Sequence, residues 1–211
     1  MGENRWSKMR FDWHTIGTLG GEMRATFLET SSPRISTSTR LCGSRYSLWL
    51  MPKGEVRRRL AEAILDLSGK YSTPAFEPHV TLAGSIVGPA REIESKMKDL
   101  ARRIPRFTVR LTTVEGLEEY FRCLFIRVAQ THPIMSAHEA AREIFRLPKR
   151  PAFMPHLSLL YGSLLSKEKE RIIISLGCRF ELEFKASTLH LYLIKRQPEA
   201  WRRVASHGLG L

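Results

Sequence analysis

The chain has 211 residues, room for one domain or a compact two-lobed one with a sizeable core, and its 43% hydrophobic and 26% charged content is that of a soluble globular protein. No apolar run reaches membrane-span length. Three scattered cysteines (Cys42, Cys123, Cys178) without Cys-x-x-Cys spacing argue against a zinc cluster or disulfide framework and make a reducing compartment the default. The net charge of +13 and pI near 10.2 fit an anionic ligand such as a nucleotide or RNA, although a basic surface with no partner would carry the same charge.

Residues 1–42 are rich in Ser, Thr and Gly and show no sustained period, so they read as an N-terminal extension ahead of a domain over 43–211. A disordered segment or spurious extension is the favoured reading; an acid-poor Arg/Ser leader leaves organelle targeting open. The first strand is predicted over Arg45–Met51. Val56, Leu60, Ile64 and Leu67 then recur at helical spacing through Lys70. A strand from His79 to about Ile86 precedes a helix with Ile93, Met97, Leu100 and Ile104 on one stripe. Phe107–Val114 and Phe121–Ala129 read as a hairpin turning near Gly116. A helix over Ile134–Phe145, a basic loop Arg146–Pro151, a strand from His156 and a helix from Ser166 to about Leu176 follow. Arg179–Lys185 and Thr188–Lys195 alternate as strands, and Trp201 and Val204 fall in a final irregular tail. Helices and strands do not alternate strictly, so antiparallel sheets are expected, and the two halves of the chain repeat one another.

That repeat carries a motif. Phe76-Glu77-Pro78-His79-Val80-Thr81-Leu82 returns as Phe153-Met154-Pro155-His156-Leu157-Ser158-Leu159: Phe, any residue, Pro, His, aliphatic, hydroxyl, Leu. Proline suits the first position of a strand, where its missing N–H costs no ladder bond. Within a strand, residues i and i+2 share a face about 7 Å apart, so each copy sets an imidazole beside a hydroxyl. Phosphodiester hydrolysis needs a base for water, an acid for the leaving oxygen and donors for the phosphoryl oxygens. Two histidines and two hydroxyls supply that set without a metal. A single His-x-Thr is more often a half-buried structural histidine; two copies in matching context reverse those odds. His14, His132, His138, His190 and His207 read as loop, tail, surface or structural residues.

The paired signature, with YSLWLMP at 46–52, FEPHVTLAG at 76–84, YFRCLFIRVAQ at 120–130, FMPHLSLLYG at 153–162 and EAWRRVA at 199–205, resembles the two-histidine (2H) phosphoesterase superfamily, in its cyclic phosphodiesterase branch. The resemblance implies an α+β, bilobal fold: two pseudo-symmetric lobes, each an antiparallel sheet with helices, around a cleft. It implies no cofactor and no metal. The implied activity opens 2',3'-cyclic nucleotides to 2'-phosphates, or ADP-ribose 1'',2''-cyclic phosphate. His79 and His156 would be the catalytic pair, with His156 as base and His79 as acid, and Thr81 and Ser158 the phosphate donors. Trp49 and Tyr161 would flank the nucleobase, with Tyr120 or Phe121 beside them. Strict alternation from His156 turns Tyr161 to the opposite face, so a bulge or strand end near Gly162 is required, or Tyr161 is core; core packing is equally open to Trp49. The rivals are RNA-end processing (an RNA 2',3'-cyclic phosphodiesterase or 2'-5' RNA ligase-like enzyme) and a non-catalytic nucleotide- or RNA-binding module. A cytoplasmic monomer with a small anionic cyclic nucleotide, or RNA ends, as partner is expected.

Overall fold

The computed structural model describes residues 44–149, 151–177 and 179–210. Strand β1 (Arg45–Leu50) leads into helix α1 (Gly54–Tyr71), β2 (Val80–Val87) into α2 (Ala90–Arg103), and β3 (Phe107–Glu115) turns back as β4 (Leu124–Val128). Helix α3 (His132–Ile144), β5 (His156–Leu160), α4 (Ser166–Leu176), β6 (Arg179–Ala186), β7 (Thr188–Ile194) and β8 (Arg202–Gly208) follow. The expected extension over 1–42, its targeting reading, Cys42 and Cys178 lie outside the described residues.

The helices form where apolar residues recur at three- and four-residue spacing. Leu60, Ile64 and Leu67 bury one stripe of α1, and Ser72, at φ 50°, ends it by returning its N–H to the Ser68 carbonyl. Ile93, Met97 and Leu100 form the corresponding stripe of α2. Helix α3 starts at His132, two residues earlier than the periodicity predicts, because Pro133 sits in its first turn, where a missing N–H costs no hydrogen bond. His132 is therefore helical, not a loop residue.

Two strand readings need correction. Phe121 does not open a strand: Tyr120–Arg122 form a short 3-10 turn, and β4 begins at Leu124. The supposed irregular tail is β8, paired along β7 from Thr188↔Gly208 to Leu193↔Arg202. Its side chains are mostly exposed, so it carries no apolar alternation to read. Arginines on such an edge discourage pairing with another chain.

All eight strands join one sheet in the order β6-β3-β4-β5-β2-β1-β7-β8, and every pairing between them is antiparallel. Each half has four strands, and among the described residues the two halves of the sheet pair only at Val80 of β2 opposite Leu157 of β5. The halves are not consecutive in sequence. β3 sits with β4, β5 and β6, while β7 and β8 return to β1. Helices interlock them further, since α1 packs on β5 and α3 on β2. The expected two-lobed α+β arrangement thus takes the form of one continuous sheet with a thin seam.

Strand alternation sorts the two faces. Leu48, Leu50, Leu82, Leu124, Ile126 and Leu157 point into the main core with the helix stripes. Trp49, Met51 and Tyr192 form a second small cluster, joined by Trp201. The opposite face of β1, β2 and β5 is thereby left to polar and aromatic groups.

The loop between β3 and β4 is held from below. The buried Lys169 of α4 donates from Nζ to the Leu117 carbonyl (2.9 Å) and to Glu118 Oε1 (2.6 Å). Its stem crosses Gly116 so closely that a Cβ there would lie 2.9 Å from Lys169 Cδ and 2.7 Å from the Cys123 carbonyl oxygen. A backbone oxygen cannot step aside as a side-chain end can. Gly116→Ala is expected to cost about 1–3 kcal/mol, the range for overpacking. Urea unfolding would show it; a midpoint unchanged from wild type would mean that the loop adapts freely.

Candidate active site

The seam places the motif residues. Val80 opposite Leu157 turns both of those side chains into the core, so the residues flanking them face the other way. His79 and Thr81 flank Val80, and His156 and Ser158 flank Leu157. In antiparallel register this sets His79 across from Ser158, and Thr81 across from His156. The two imidazoles then lie on a diagonal, about 7–8 Å apart at the backbone. All four line one cavity of about 190 Å³.

Both histidines are anchored in the same way. His79 Nδ1 meets the Glu77 carbonyl at 2.6 Å, and His156 Nδ1 meets the Met154 carbonyl at 2.8 Å. A carbonyl only accepts, so each Nδ1 carries the proton and each Nε2 is left for a ligand. Burial pushes the His79 imidazole down to about 4, against an upward pull from its carbonyl bond. His156 is half-buried and also lowered, first by burial and then by the nearby Arg122 and Arg127. The hydroxyls differ. Ser158 Oγ is buried and donates to the Phe121 carbonyl at 2.9 Å. No hydrogen bond holds the Thr81 hydroxyl among the described residues, so it is free to donate into the cavity.

The aromatics are arranged differently from the sequence reading. Trp49 is 2% exposed and sandwiched: its ring stacks on His79 at 3.6 Å and on Tyr192 at 3.8 Å. With a ring stacked on each side it is packed as the core reading expects, and it forms the wall behind His79. Tyr161 follows the end of β5 at Leu160, the strand end that its inward position requires, and it stacks on Phe76 at 3.8 Å. It lines the cavity but is 4% exposed, and burial pushes its phenol pKa up. Phe121, 53% exposed, lines the cavity; Tyr120 stands beside it at 5.0 Å, exposed, outside that lining.

Three further groups shape the site: Trp201 and Tyr192, which the sequence reading gave no role there, and His138, in the structural role expected of it. Trp201, half-buried at the cavity wall, packs edge-on against Trp49, His79 and Tyr161. Its signal was a lone tryptophan in the EAWRRVA stretch. Tyr192 braces Trp49 and donates its hydroxyl to Glu77 Oε2 at 3.2 Å, on the residue whose carbonyl orients His79. His138 of α3 bonds the Leu82 carbonyl at 2.7 Å and stacks on Phe153 at 3.8 Å and 6°. Past Val80 no further β2–β5 pair forms, so His138 ties the first motif strand to the entry of the second. His190 is buried off the cavity, bonded to Ser206 at 2.8 Å, in keeping with a structural role. Among the described residues no group of three or more His, Cys, Asp or Glu is placed to hold a metal ion.

An α+β fold whose central antiparallel sheet carries two His-x-hydroxyl strands on one cavity is the arrangement that the two-histidine phosphoesterase resemblance implies. A family model of the 2'-5' RNA ligase superfamily matches residues 52–198, both motifs included, and the chain belongs to that superfamily. It is 30% identical over 125 residues to a cyclic phosphodiesterase of Arabidopsis thaliana, covering 59% of this chain and 69% of that protein. It is 26% identical over 144 residues to a 2',3'-cyclic-nucleotide 3'-phosphodiesterase of Yarrowia lipolytica, spanning 63% of this chain and 64% of that protein's length. E. coli LigT complexed with 3'-AMP has the same fold, with a TM-score of 0.56 at 16% identity over 80% of this chain and 99% of that one. A Thermus thermophilus protein, TT0787, is similar, with a TM-score of 0.56 at 18% identity over 78% and 97%.

The sandwich gives Trp49 a measurable role. Trp49→Leu should rehydrate His79, raise its pKa from about 4 towards the ordinary 6.5, and lower kcat with little change in KM. Imidazole C–H resonances followed against pH would read the first effect, and initial rates the second. A raised KM with an unmoved His79 titration would restore Trp49 as a base clamp.

Proposed function

We propose that this protein, a cyclic phosphodiesterase, hydrolyses 2',3'-cyclic nucleotides to nucleoside 2'-phosphates, or ADP-ribose 1'',2''-cyclic phosphate to ADP-ribose 1''-phosphate, or both, with no metal ion. The observation that carries the reading is the pair of identically anchored imidazoles on the two strands of the seam, each with Nε2 free, on one small cavity. The Arabidopsis and Yarrowia relatives, named for cyclic phosphodiester hydrolysis, support the substrate class.

The chemistry needs one neutral and one protonated imidazole. The neutral Nε2 takes a proton from water as its oxygen bonds to phosphorus. The bond from phosphorus to the 3'-oxygen breaks, and the imidazolium delivers its proton to that oxygen, leaving the 2'-phosphate. The Thr81 hydroxyl donates to a non-bridging oxygen; Ser158 does so by exchanging its bond to the Phe121 carbonyl. The resemblance gives His156 the base role and His79 the acid role. Because His79 is the more deeply buried, the anionic phosphate is what loads it with a proton.

His79→Ala and His156→Ala should each lower kcat by about a hundredfold or more. Near-wild-type turnover by either variant, across cyclic mononucleotides and ADP-ribose cyclic phosphate, would refute the pair. The pH dependence has a definite sign. Activity fails at low pH when both imidazoles are protonated and at high pH when both are neutral. Burial lowers both in the empty site, so the bell in kcat/KM should centre below 6.5, the ordinary histidine value. A bound phosphodiester anion favours imidazolium and moves the bell in kcat upward. A kcat/KM bell centred above neutrality would contradict this. Turnover should also survive chelators; loss in EDTA reversed by zinc or magnesium would sink the metal-free reading.

A further inference from the structure

A second cavity adjoins the catalytic one. The larger, about 650 Å³, shares Ser85, Phe121 and Ile194 with the site and is also lined by Arg45, Lys195 and Arg196. Strand pairing assembles the three cations: Arg45 opens β1 opposite Ile194, and Lys195 and Arg196 follow directly where β7 ends. All three are exposed, and no carboxylate among the described residues lies within ion-pair distance of them. Arg58, Arg122, Arg127 and Arg142, by contrast, each have a carboxylate partner. The shared wall is built with strain, since Ser85 stands at φ 57°, a left-handed conformation that costs a non-glycine residue energy. Trp201 of the catalytic cavity ties the two spaces together by donating its indole N–H to the Lys195 carbonyl at 2.9 Å.

At about 190 Å³ the catalytic cavity falls below the roughly 300–1,000 Å³ of pockets that enclose a drug-sized ligand. A whole nucleotide held by its cyclic phosphate must therefore extend beyond it. Three unpaired cations on the adjoining walls select a phosphoryl group, not a base, as the part that extends. We propose that this groove is a second anion subsite, which takes a phosphoryl group on the 5' carbon of the ribose whose cyclic phosphate is opened. The proposal rests on the cyclic phosphodiesterase reading of the first site. The favoured substrate class is then a ribose cyclic phosphate bearing a phosphate at its other end. Two sources share that chemistry: a pyrophosphate-linked ribose, as in ADP-ribose cyclic phosphate, and the diester-linked terminal ribose of a cyclic-ended oligoribonucleotide.

The test compares the calorimetric Kd of adenosine 2'-phosphate with that of adenosine 2',5'-bisphosphate on the full chain. Wild type should bind the bisphosphate at least about tenfold more tightly, the scale of one good charge-assisted contact. Arg45→Ala/Lys195→Ala/Arg196→Ala should abolish that preference while binding the 2'-phosphate nearly as before. A control of equal charge loss, Arg91→Ala/Lys96→Ala/Lys98→Ala on the exposed face of α2, touches neither cavity and should keep the preference. Equal affinity of wild type for the two ligands, or equal loss in the control, would overturn the subsite; the latter would mean that only the long-range field of the protein is at work. Relative kcat/KM for ADP-ribose 1'',2''-cyclic phosphate and a cyclic-ended diribonucleotide then identifies the source. Because the Kd comparison needs no turnover, a protein that binds as described but hydrolyses nothing would refute the catalytic reading and leave the subsite standing.

Discussion

One backbone pairing, Val80 opposite Leu157, fixes everything the site does. Sending these two side chains into the core forces their four neighbours onto the other face, where two imidazoles and two hydroxyls converge. A one-residue slip of either strand would bury a histidine–hydroxyl pair among the leucines. That slip is opposed from both sides of the seam: α1 packs on β5, α3 packs on β2, and His138 bonds Leu82 while stacking on Phe153.

The histidines are held by backbone, not by carboxylates. A carbonyl acceptor fixes the tautomer and the ring direction without adding a negative charge that would stabilise imidazolium. Burial adds to this by lowering both imidazole pKa values. The Tyr192–Trp49–His79 stack extends this on one side, and the Tyr192 hydroxyl reaches back to Glu77, whose carbonyl aims the histidine. On the other side His156 has, among the described residues, one edge-on ring, Phe125, at 5.3 Å, and Arg122 and Arg127 nearby. The repeat is symmetric in its anchors and asymmetric in its surroundings, as the proposed division into acid and base requires.

The sequence was most informative where periodicity and chemistry coincided. The stripes of α1 and α2 and the two motif strands follow directly from spacing, and the doubled motif placed His79, Thr81, His156 and Ser158 on one cavity. Legibility failed where neighbours decide. Nothing in YSLWLMP tells that Trp49 will have both faces covered, because Tyr192 arrives from a strand more than a hundred residues later. β8 was invisible because an exposed edge strand has no apolar alternation, and Trp201 was lost with it. Phe121 looked like the start of a strand because it precedes an apolar run; the loop held by Lys169 makes it a lip of the cavity instead.

The central claim is that one imidazole accepts a proton while the other donates one to the leaving oxygen. A 2',3'-cyclic substrate with sulfur in place of the 3'-oxygen separates the two roles, since a thiolate leaves without being protonated. Rates of His79→Ala and His156→Ala on the oxygen and sulfur substrates should diverge. One variant, and only one, should recover most of wild-type turnover on the sulfur substrate, and that histidine is the acid. Rescue of both variants alike, or of neither, would contradict a division of proton transfer between His79 and His156.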